Sequence, residues 1–262
     1  MSAPSTTLTT VTPGATTPAS SLRQLGLLMQ WQARRMSQWL PLLVVIQVLL
    51  AVTTVFGYGL LVGSPPREAA LYLATGAPTI TLIMVGLVMA PQQVAQARTE
   101  GSLDWMRTLP VPRWTFLTAD LAVWSLVALP GTVLGVVVGA WRFDIALSVS
   151  PWILLAAPVV SLTAATVGYS MATLLPPQVA QLLSQVIVFV VLLFSPVSYP
   201  AARMPGWLAG VHEWLPVQPM AEVMRASLVS DEFGVSPRTV VVLAVWCAAA
   251  VAGACRALRR RS

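Results

Sequence analysis

The chain has 262 residues, of which 56% are hydrophobic and only 9% are charged, with a formal net charge of +6. A soluble domain carries about 25% charged residues, so this chain has too few to cover a surface that faces water. The composition excludes a soluble globular protein and a disordered chain, and it predicts an integral membrane protein.

The residue types exclude several chemistries. All 15 positive charges are Arg, and a P-loop needs a Lys to reach the β- and γ-phosphates of a nucleotide. The single histidine, His212, and the two cysteines, Cys247 and Cys255, are too few for a metal site of three or four His and Cys ligands. We therefore expect no catalytic, metal or cofactor site in this chain.

The N-terminal region divides into two segments. Residues 1–21 are uncharged and rich in Thr, Ser, Pro and Ala, which predicts a disordered tail ahead of a single membrane domain over 22–262. Residues 22–39 have the pattern of an amphipathic helix that lies in the inner membrane interface. The alternative is a cytosolic extension of the first membrane span. The two faces of this helix consist of polar Arg23, Gln30, Arg34 and Ser37 and apolar Leu25, Leu28, Met29 and Met36.

Long uncharged apolar stretches predict six membrane spans. The spans fall at about 40–61, 70–90, 117–140, 152–174, 179–195 and 238–255. Pro176 and Pro177 separate the fourth span from the fifth, because proline ends a helix. With both termini inside, ten arginines lie in cytoplasmic segments and five lie outside. This bias predicts an inside location for both termini.

Two segments between the spans have unusual patterns. The loop 91–116 mixes charges with an apolar row at Leu103, Met106 and Leu109. The row predicts a short amphipathic helix, which lies either on the membrane surface or against a partner subunit. The outer segment 196–237 holds six prolines and two tryptophans, and it predicts short re-entrant or interfacial helices such as 204–214 and 218–229.

Small and polar residues form three stripes within the spans. One is a ridge on the third span that lets another helix approach closely; it consists of Gly131, Gly135 and Gly139. The other two lie on the fifth and first spans and consist of Gln178, Gln181, Gln185 and Phe189, and of Gln47, Ala51, Thr54 and Tyr58. Uncharged polar stripes either hydrogen-bond between helices or line a path for an amphipathic solute. No charge lies deep in a span, which argues against ion coupling.

The order of these features resembles the permease of type-2 ABC exporters. The first matching motif runs from Glu100-Gly101-Ser102-Leu103 to Leu109-Pro110-Val111-Pro112-Arg113. The outer motifs follow in the family's order as Tyr199-Pro200, Met204-Pro205-Gly206-Trp207-Leu208 and Gln218-Pro219 before a helix with Arg225. Gln218 stands where the family usually has Asn.

The resemblance implies an all-α membrane protein with six transmembrane helices, an N-terminal interfacial helix, a cytoplasmic coupling helix and short extracellular re-entrant helices before the last span. Two permeases, copies or relatives, would pair in a bacterial cytoplasmic membrane, with two ATPase subunits that bind ATP and Mg²⁺; the partners include membrane lipid and no nucleic acid. The resemblance also implies the export of an amphipathic or hydrophobic compound. A structural or assembly subunit and an exporter of polysaccharide or lipid-linked glycan stay open, whereas a membrane-embedded enzyme is disfavoured.

The resemblance also assigns roles to residues. Docking to the ATPase would use Glu100, Gly101, Leu103, Trp105, Met106, Leu109 and Arg113. The translocation path would be lined by Gln47, Thr54, Tyr58, Gln181, Gln185 and Phe189. The extracellular re-entrant motif would comprise Tyr199, Pro200, Met204, Pro205, Trp207, Pro219 and Arg225.

Overall fold

The computed structural model describes residues 21–63, 65–101 and 113–259, and these residues form helices and turns without a β-strand. The predicted N-terminal tail lies outside the described residues, as does the predicted amphipathic helix with Leu103, Trp105, Met106 and Leu109. The helices in chain order are α1 Ser21–Ser37, α2 Leu40–Val62, α3 Arg67–Met84, a π-helical turn Val85–Met89, α4 Ala90–Thr99, α5 Arg113–Phe143, α6 Ile153–Leu174, α7 Pro177–Phe194, a 3-10 turn Ala201–Arg203, α8 Gly206–His212, α9 Val217–Leu228 and α10 Pro237–Arg259.

The described part of the chain contains six helical segments long and apolar enough to cross a membrane, which confirms the all-α membrane fold. The second span is longer than predicted, because α3, the π-helical turn and α4 form one rod over Arg67–Thr99. A rod of this length measures about 50 Å and exceeds the ~30 Å core of a bilayer. We call the end of the bundle with α1 and Thr99 the inner end, and the opposite end the outer end.

The second span is the centre of the bundle. In its most apolar stretch 94% of the residues are buried, whereas the corresponding fraction is 17% for the fifth span and 22% for the first. The third and fourth spans, α5 and α6, pack directly against this central rod. The first, fifth and sixth spans therefore leave wide apolar surfaces for lipid or for another protein.

The N-terminal helix α1 is separated from the first span by a turn at residues 38–39. Its predicted polar residues are exposed and its predicted apolar residues are partly buried. Gln32 donates a side-chain hydrogen bond to the buried carboxylate of Asp120, which fastens α1 to the inner end of α5. That α1 lies in the membrane interface stays a prediction.

The π-helical turn lies where the second and fourth spans cross most closely. A Cβ atom on Gly86 would come within 2.5 Å of the Ala165 backbone nitrogen, and one on Gly168 within 2.3 Å of the Gly86 carbonyl oxygen. Pro91 follows the turn and has no N–H to donate to a preceding carbonyl, which favours an irregular turn at this point. The turn inserts one residue and rotates the following helix α4 by about 100°.

Candidate translocation path and subunit surfaces

The stripe on the fifth span faces outward from the bundle. The side chains of Gln178, Gln181, Gln185 and Phe189 are all exposed. The opposite face of α7 carries Ala180, Ser184 and Val191, which are buried against the rest of the chain. Amide groups on a membrane helix are unfavourable in lipid, so this face must meet water or protein.

Three further glutamines from the second span complete a cleft with this stripe. The cleft has a volume of about 620 Å³ and lies between α4 and α7 at the inner end. Its lining consists of Gln92, Gln93, Gln96, Gln178, Gln181, Leu182 and Gln185. The three α4 glutamines are absent from the predicted path lining, because the sequence predicts that the second span ends near residue 90. The sequence feature that indicates them is their spacing of one and three residues, which places all three on one side of a helix.

Gln47, predicted to line the path, is buried within the bundle. Its amide nitrogen donates to the Val127 carbonyl at 2.9 Å, and its side-chain oxygen accepts from the Gly131 backbone N–H at 3.1 Å. Both bonds reach the third span, so this side chain satisfies its polar atoms without water. The placement favours the alternative of hydrogen bonding between helices for Gln47.

The other two first-span residues also make internal hydrogen bonds. Thr54 is buried, and its hydroxyl donates to the Leu50 carbonyl one turn earlier at 2.7 Å. The hydroxyl of the half-buried Tyr58 donates to the Leu192 carbonyl of the fifth span. None of the predicted first-span residues lines the glutamine cleft. Of the predicted first-span path residues, Tyr58 alone bonds the fifth span in the described part of the chain, at Leu192 beyond Phe189.

The glycine ridge on α5 lies against the first and second spans. A Cβ atom on Gly131 would meet the Gln47 side-chain oxygen at 2.4 Å, one on Gly135 would meet Pro78 N at 2.9 Å, and one on Gly139 would meet Ala74 O at 2.8 Å. Backbone atoms cannot move aside as side chains can, so only glycine fits at Gly135 and Gly139. The ridge sets the distance between the second and third spans.

The outer segment folds around a buried guanidinium. Arg225 on α9 is 4% exposed, and its Nη2 donates to the Val197 carbonyl at 2.8 Å. Its Cζ lies 3.8 Å from the ring centroid of Tyr72 on the second span and 5.6 Å from that of Phe233. Burial lowers the pKa of Arg225 to about 10, so the group remains a cation at neutral pH and ties α9 to the second span.

Four of the remaining outer-motif residues line an apolar cavity of about 680 Å³. Tyr199, Met204, Pro205 and Trp207 contribute to its wall, together with the outer turns of α7 and the buried His212. Pro200 precedes the 3-10 turn, and Pro219 is buried in the first turn of α9. The structure contains the two predicted short helices here as α8 and α9; their re-entrant position stays a prediction.

The predicted docking segment is described only at its start. Gly101 has a φ of +74°, a left-handed conformation that favours glycine, and it ends the second span. Glu100 accepts a hydrogen bond from Gln96 at 2.7 Å and lies 4.0 Å from the guanidinium of Arg35. Arg113 is the first residue of α5, and its side chain lies outside the described part of the structure.

The comparison with known protein families decides the identity of this chain. The family model of the ABC-2 type transporter matches residues 23–229. This chain belongs to the ABC-2 type transporter family. No curated protein matches it.

The family match confirms the resemblance described above. The matched region is the membrane domain of an ABC transporter, a permease component without an ATPase domain of its own. Membership implies a multi-pass membrane protein and an ATPase partner in the assembled transporter. The match reaches from α1 to the residue that follows α9, so it covers both the glutamine cleft and the outer segment around Arg225.

Proposed function

We propose that this ABC-2 permease is the transmembrane subunit of an ATP-driven exporter that moves an amphipathic or hydrophobic compound out of the bacterial cytoplasm. Two permeases form the membrane part, and two separate ATPase subunits bind ATP and Mg²⁺. The permease supplies the path and the surface to which the ATPase docks. Drug, antibiotic and lipid-like compounds are the candidate cargo.

The exposed glutamine stripe on α7 carries this proposal. Uncharged amides on a membrane-spanning surface are unfavourable in lipid, so they need either a partner helix that hydrogen-bonds them or a path that contains water. A transport path needs such groups, because a passing solute must exchange its hydrogen bonds with water for hydrogen bonds with protein. Phe189 extends the same face toward the outer end and offers an apolar contact.

The wide exposed surfaces of the first and fifth spans support a paired arrangement. Exposed apolar residues cover both helices, including Leu42, Leu49, Leu182 and Leu193. Two permeases that face each other across these helices would enclose the stripe between them. The amides would then meet water in a shared passage instead of lipid.

Docking to the ATPase rests on the sequence between Glu100 and Arg113. Burying an apolar side chain contributes about 1.5–3 kcal/mol, so Leu103, Met106 and Leu109 together could hold a subunit. The neighbouring charges would orient the contact more than strengthen it, because ion pairs at the rim of an interface are worth little.

Co-purification tests the proposal. Changing Leu103 and Met106 together to Asp should release the ATPase from a tagged permease and abolish ATP-dependent export, because two charges replace the buried apolar contacts. The control changes Val149 and Val235 to Asp; both are exposed in outer connections, so the ATPase should stay bound.

The result also separates the proposed exporter from the alternatives. Retention of the ATPase at normal stoichiometry by the Leu103→Asp, Met106→Asp variant would contradict docking through this segment. A wild-type complex that assembles with the ATPase but exports no compound would support a structural or assembly subunit. A glycan exporter stays the second candidate, since amide-lined surfaces suit solutes with many hydroxyl groups.

A further inference from the structure

We propose that the cleft between α4 and α7 is the inner access site of the path, and that it selects uncharged amphiphiles rich in hydroxyl, carbonyl or amide groups over cations and anions. This inference rests on the proposed export function and names its substrate class. The cleft volume of about 620 Å³ falls within the range of roughly 300–1,000 Å³ found for small-molecule sites.

The polar lining of the cleft is made of one residue type. Six glutamines contribute to it, three from each helix, and Leu182 completes the wall. No charged side chain lines it within the described part of the chain. The nearby carboxylate of Glu100 is engaged by Gln96 at the rim and by Arg35 at 4.0 Å. The site therefore presents dipoles to a solute and no net charge.

Most of these amides are available to a ligand. Gln96 is occupied by Glu100, whereas Gln92, Gln93, Gln178, Gln181 and Gln185 have no side-chain hydrogen-bond partner among the described residues. Each amide offers two N–H donors and an acceptor oxygen. Hydroxyl and carbonyl groups of an uncharged solute can pair with both the N–H donors and the acceptor oxygen of these amides. A cation can pair only with the oxygen and an anion only with the N–H donors, and neither meets an opposite charge in the cleft.

The apolar part of the ligand has its own contact surface. Leu182 lies among the glutamines, and Phe189 continues the face of Gln185 one turn further toward the outer end. Gln178 and Gln185 are separated by about 10 Å along the helix axis, so the amides extend from the inner mouth into the depth of the membrane. A solute with a polar head and an apolar tail matches this sequence of surfaces.

The backbone directs the α4 glutamines toward α7. The π-helical turn at Val85–Met89 inserts one residue, which rotates α4 by about 100° relative to α3. Helix α4 then packs against both α6 and α7, with Val94 and Ala95 buried and Gln93 and Gln96 exposed. This irregularity of the second span builds the second wall of the cleft.

The experiment measures ATP-dependent uptake of three probes into inverted membrane vesicles that contain the permease with its ATPase. The probes share one alkyl chain and carry a glucose, a quaternary ammonium or a carboxylate head group. Wild-type vesicles should accumulate the alkyl glucoside in preference to both charged probes. Changing Gln93 and Gln181 together to Glu, which keeps side-chain size and adds negative charge, should shift the preference to the alkyl ammonium probe.

A second variant tests the inference if the variant with two Glu substitutions fails to fold. Changing Gln93 and Gln181 to Ala should weaken the apparent affinity for the alkyl glucoside by roughly tenfold, because two hydrogen bonds are lost, and should leave uptake of the charged probes unchanged. The matched control changes Gln30 and Gln38 to Glu; both are exposed at the inner end outside the cleft, and probe preference should not change.

The outcomes distinguish this inference from the exporter function. Export of a charged probe in preference to the glucoside by the wild type, or a ranking that neither glutamine variant changes, overturns the inference and leaves the exporter function intact. Absence of ATP-dependent uptake for every probe, with the ATPase bound, overturns both.

Discussion

At the scale of single residues, glutamine has two different uses in this permease. Gln47 is buried and satisfies both ends of its amide on the third span. Gln181 and Gln185 are exposed and line an open cleft. In the sequence both belong to similar uncharged stripes on apolar helices. Only the neighbouring helix distinguishes a hydrogen bond within the bundle from an exposed amide in a cleft.

Glycine at position 135 should be essential for the packing of the second and third spans. Replacing Gly135 by Leu forces side-chain atoms into the Pro78 backbone, 2.9 Å from the first atom added. Overpacking of this kind costs about 1–3 kcal/mol or more, so the thermal unfolding temperature and the yield of the purified permease should fall. In the matched variant Gly57→Leu the new Cβ meets nothing within 4 Å. Equal stability of the two variants would contradict the packing role.

Arg98 should stabilise the inner end of the fourth span. Its Nη1 donates to the carbonyls of Ala172 and Leu175, the latter at 2.6 Å, where the last helical carbonyls lack partners. Changing Arg98 to Ala removes charged hydrogen bonds worth about 1.5–3 kcal/mol each and should lower the unfolding temperature of the permease.

The control for Arg98 is the exposed Arg23 on α1. Its change to Ala alters the net charge equally and should leave the unfolding temperature nearly unchanged. Arg98→Lys should lie between the two variants, because an ammonium can donate to both carbonyls but lacks the planar fork. An Arg98→Ala permease as stable as Arg23→Ala would contradict the capping role.

At the scale of elements, the second span shows the largest difference between prediction and structure. The sequence predicted a helix over about 70–90, and the structure has a continuous rod over Arg67–Thr99. Pro91 lies inside this rod, although proline usually ends a helix. The π-helical turn at Val85–Met89 lets the helix continue past this proline, and close contact with the fourth span at Gly86 holds the turn in place.

The fold of the outer segment should depend on Arg225. Its change to Leu removes the contact with the Tyr72 ring and leaves the Val197 carbonyl without its donor. Together these losses should cost about 2–4 kcal/mol and lower the unfolding temperature of the permease. Arg203→Leu removes an exposed arginine from the same outer segment and should have little effect.

The charge alone does not explain this role. A Lys at position 225 keeps the positive charge but cannot stack flat on the ring, so Arg225→Lys should recover only part of the lost stability. Full stability of the Lys variant would show that flat stacking of the guanidinium on the Tyr72 ring contributes nothing.

At the scale of the whole molecule, the inner end should face the cytoplasm. Two thirds of the arginines fall in the segments that this orientation places inside. In a background with both cysteines changed to Ala, a cysteine at the exposed position Ser230 should react with a membrane-impermeant thiol reagent in intact cells. A cysteine at the exposed position Thr99 should react only after the membrane is opened. The reverse labelling pattern would show that the inner end faces the outside of the cell.

The sequence by itself determined the class, the number of spans and the family of this permease. Charge is so rare that long uncharged stretches mark every span, because charged groups are unfavourable in lipid. The bounds of the first, fourth and fifth spans agree with the structure within two residues. The motifs from Glu100 to Arg113 and around Tyr199 needed only their order along the chain to reveal the family.

Only the tertiary structure decided which polar residues meet each other. The sequence predicts both Gln47 and Gln181 in the lining of the path, yet Gln47 is buried and Gln181 is exposed. Gln92, Gln93 and Gln96 lie outside the predicted spans, yet they face the fifth span across a cleft. For the α4 glutamines the direction also depends on one inserted residue in the π-helical turn, which rotates every later side chain of the second span by about 100°. A sequence pattern based on a regular helix does not reveal that rotation. The close packing of Gly86 against the fourth span, seen only in the tertiary structure, accounts for it.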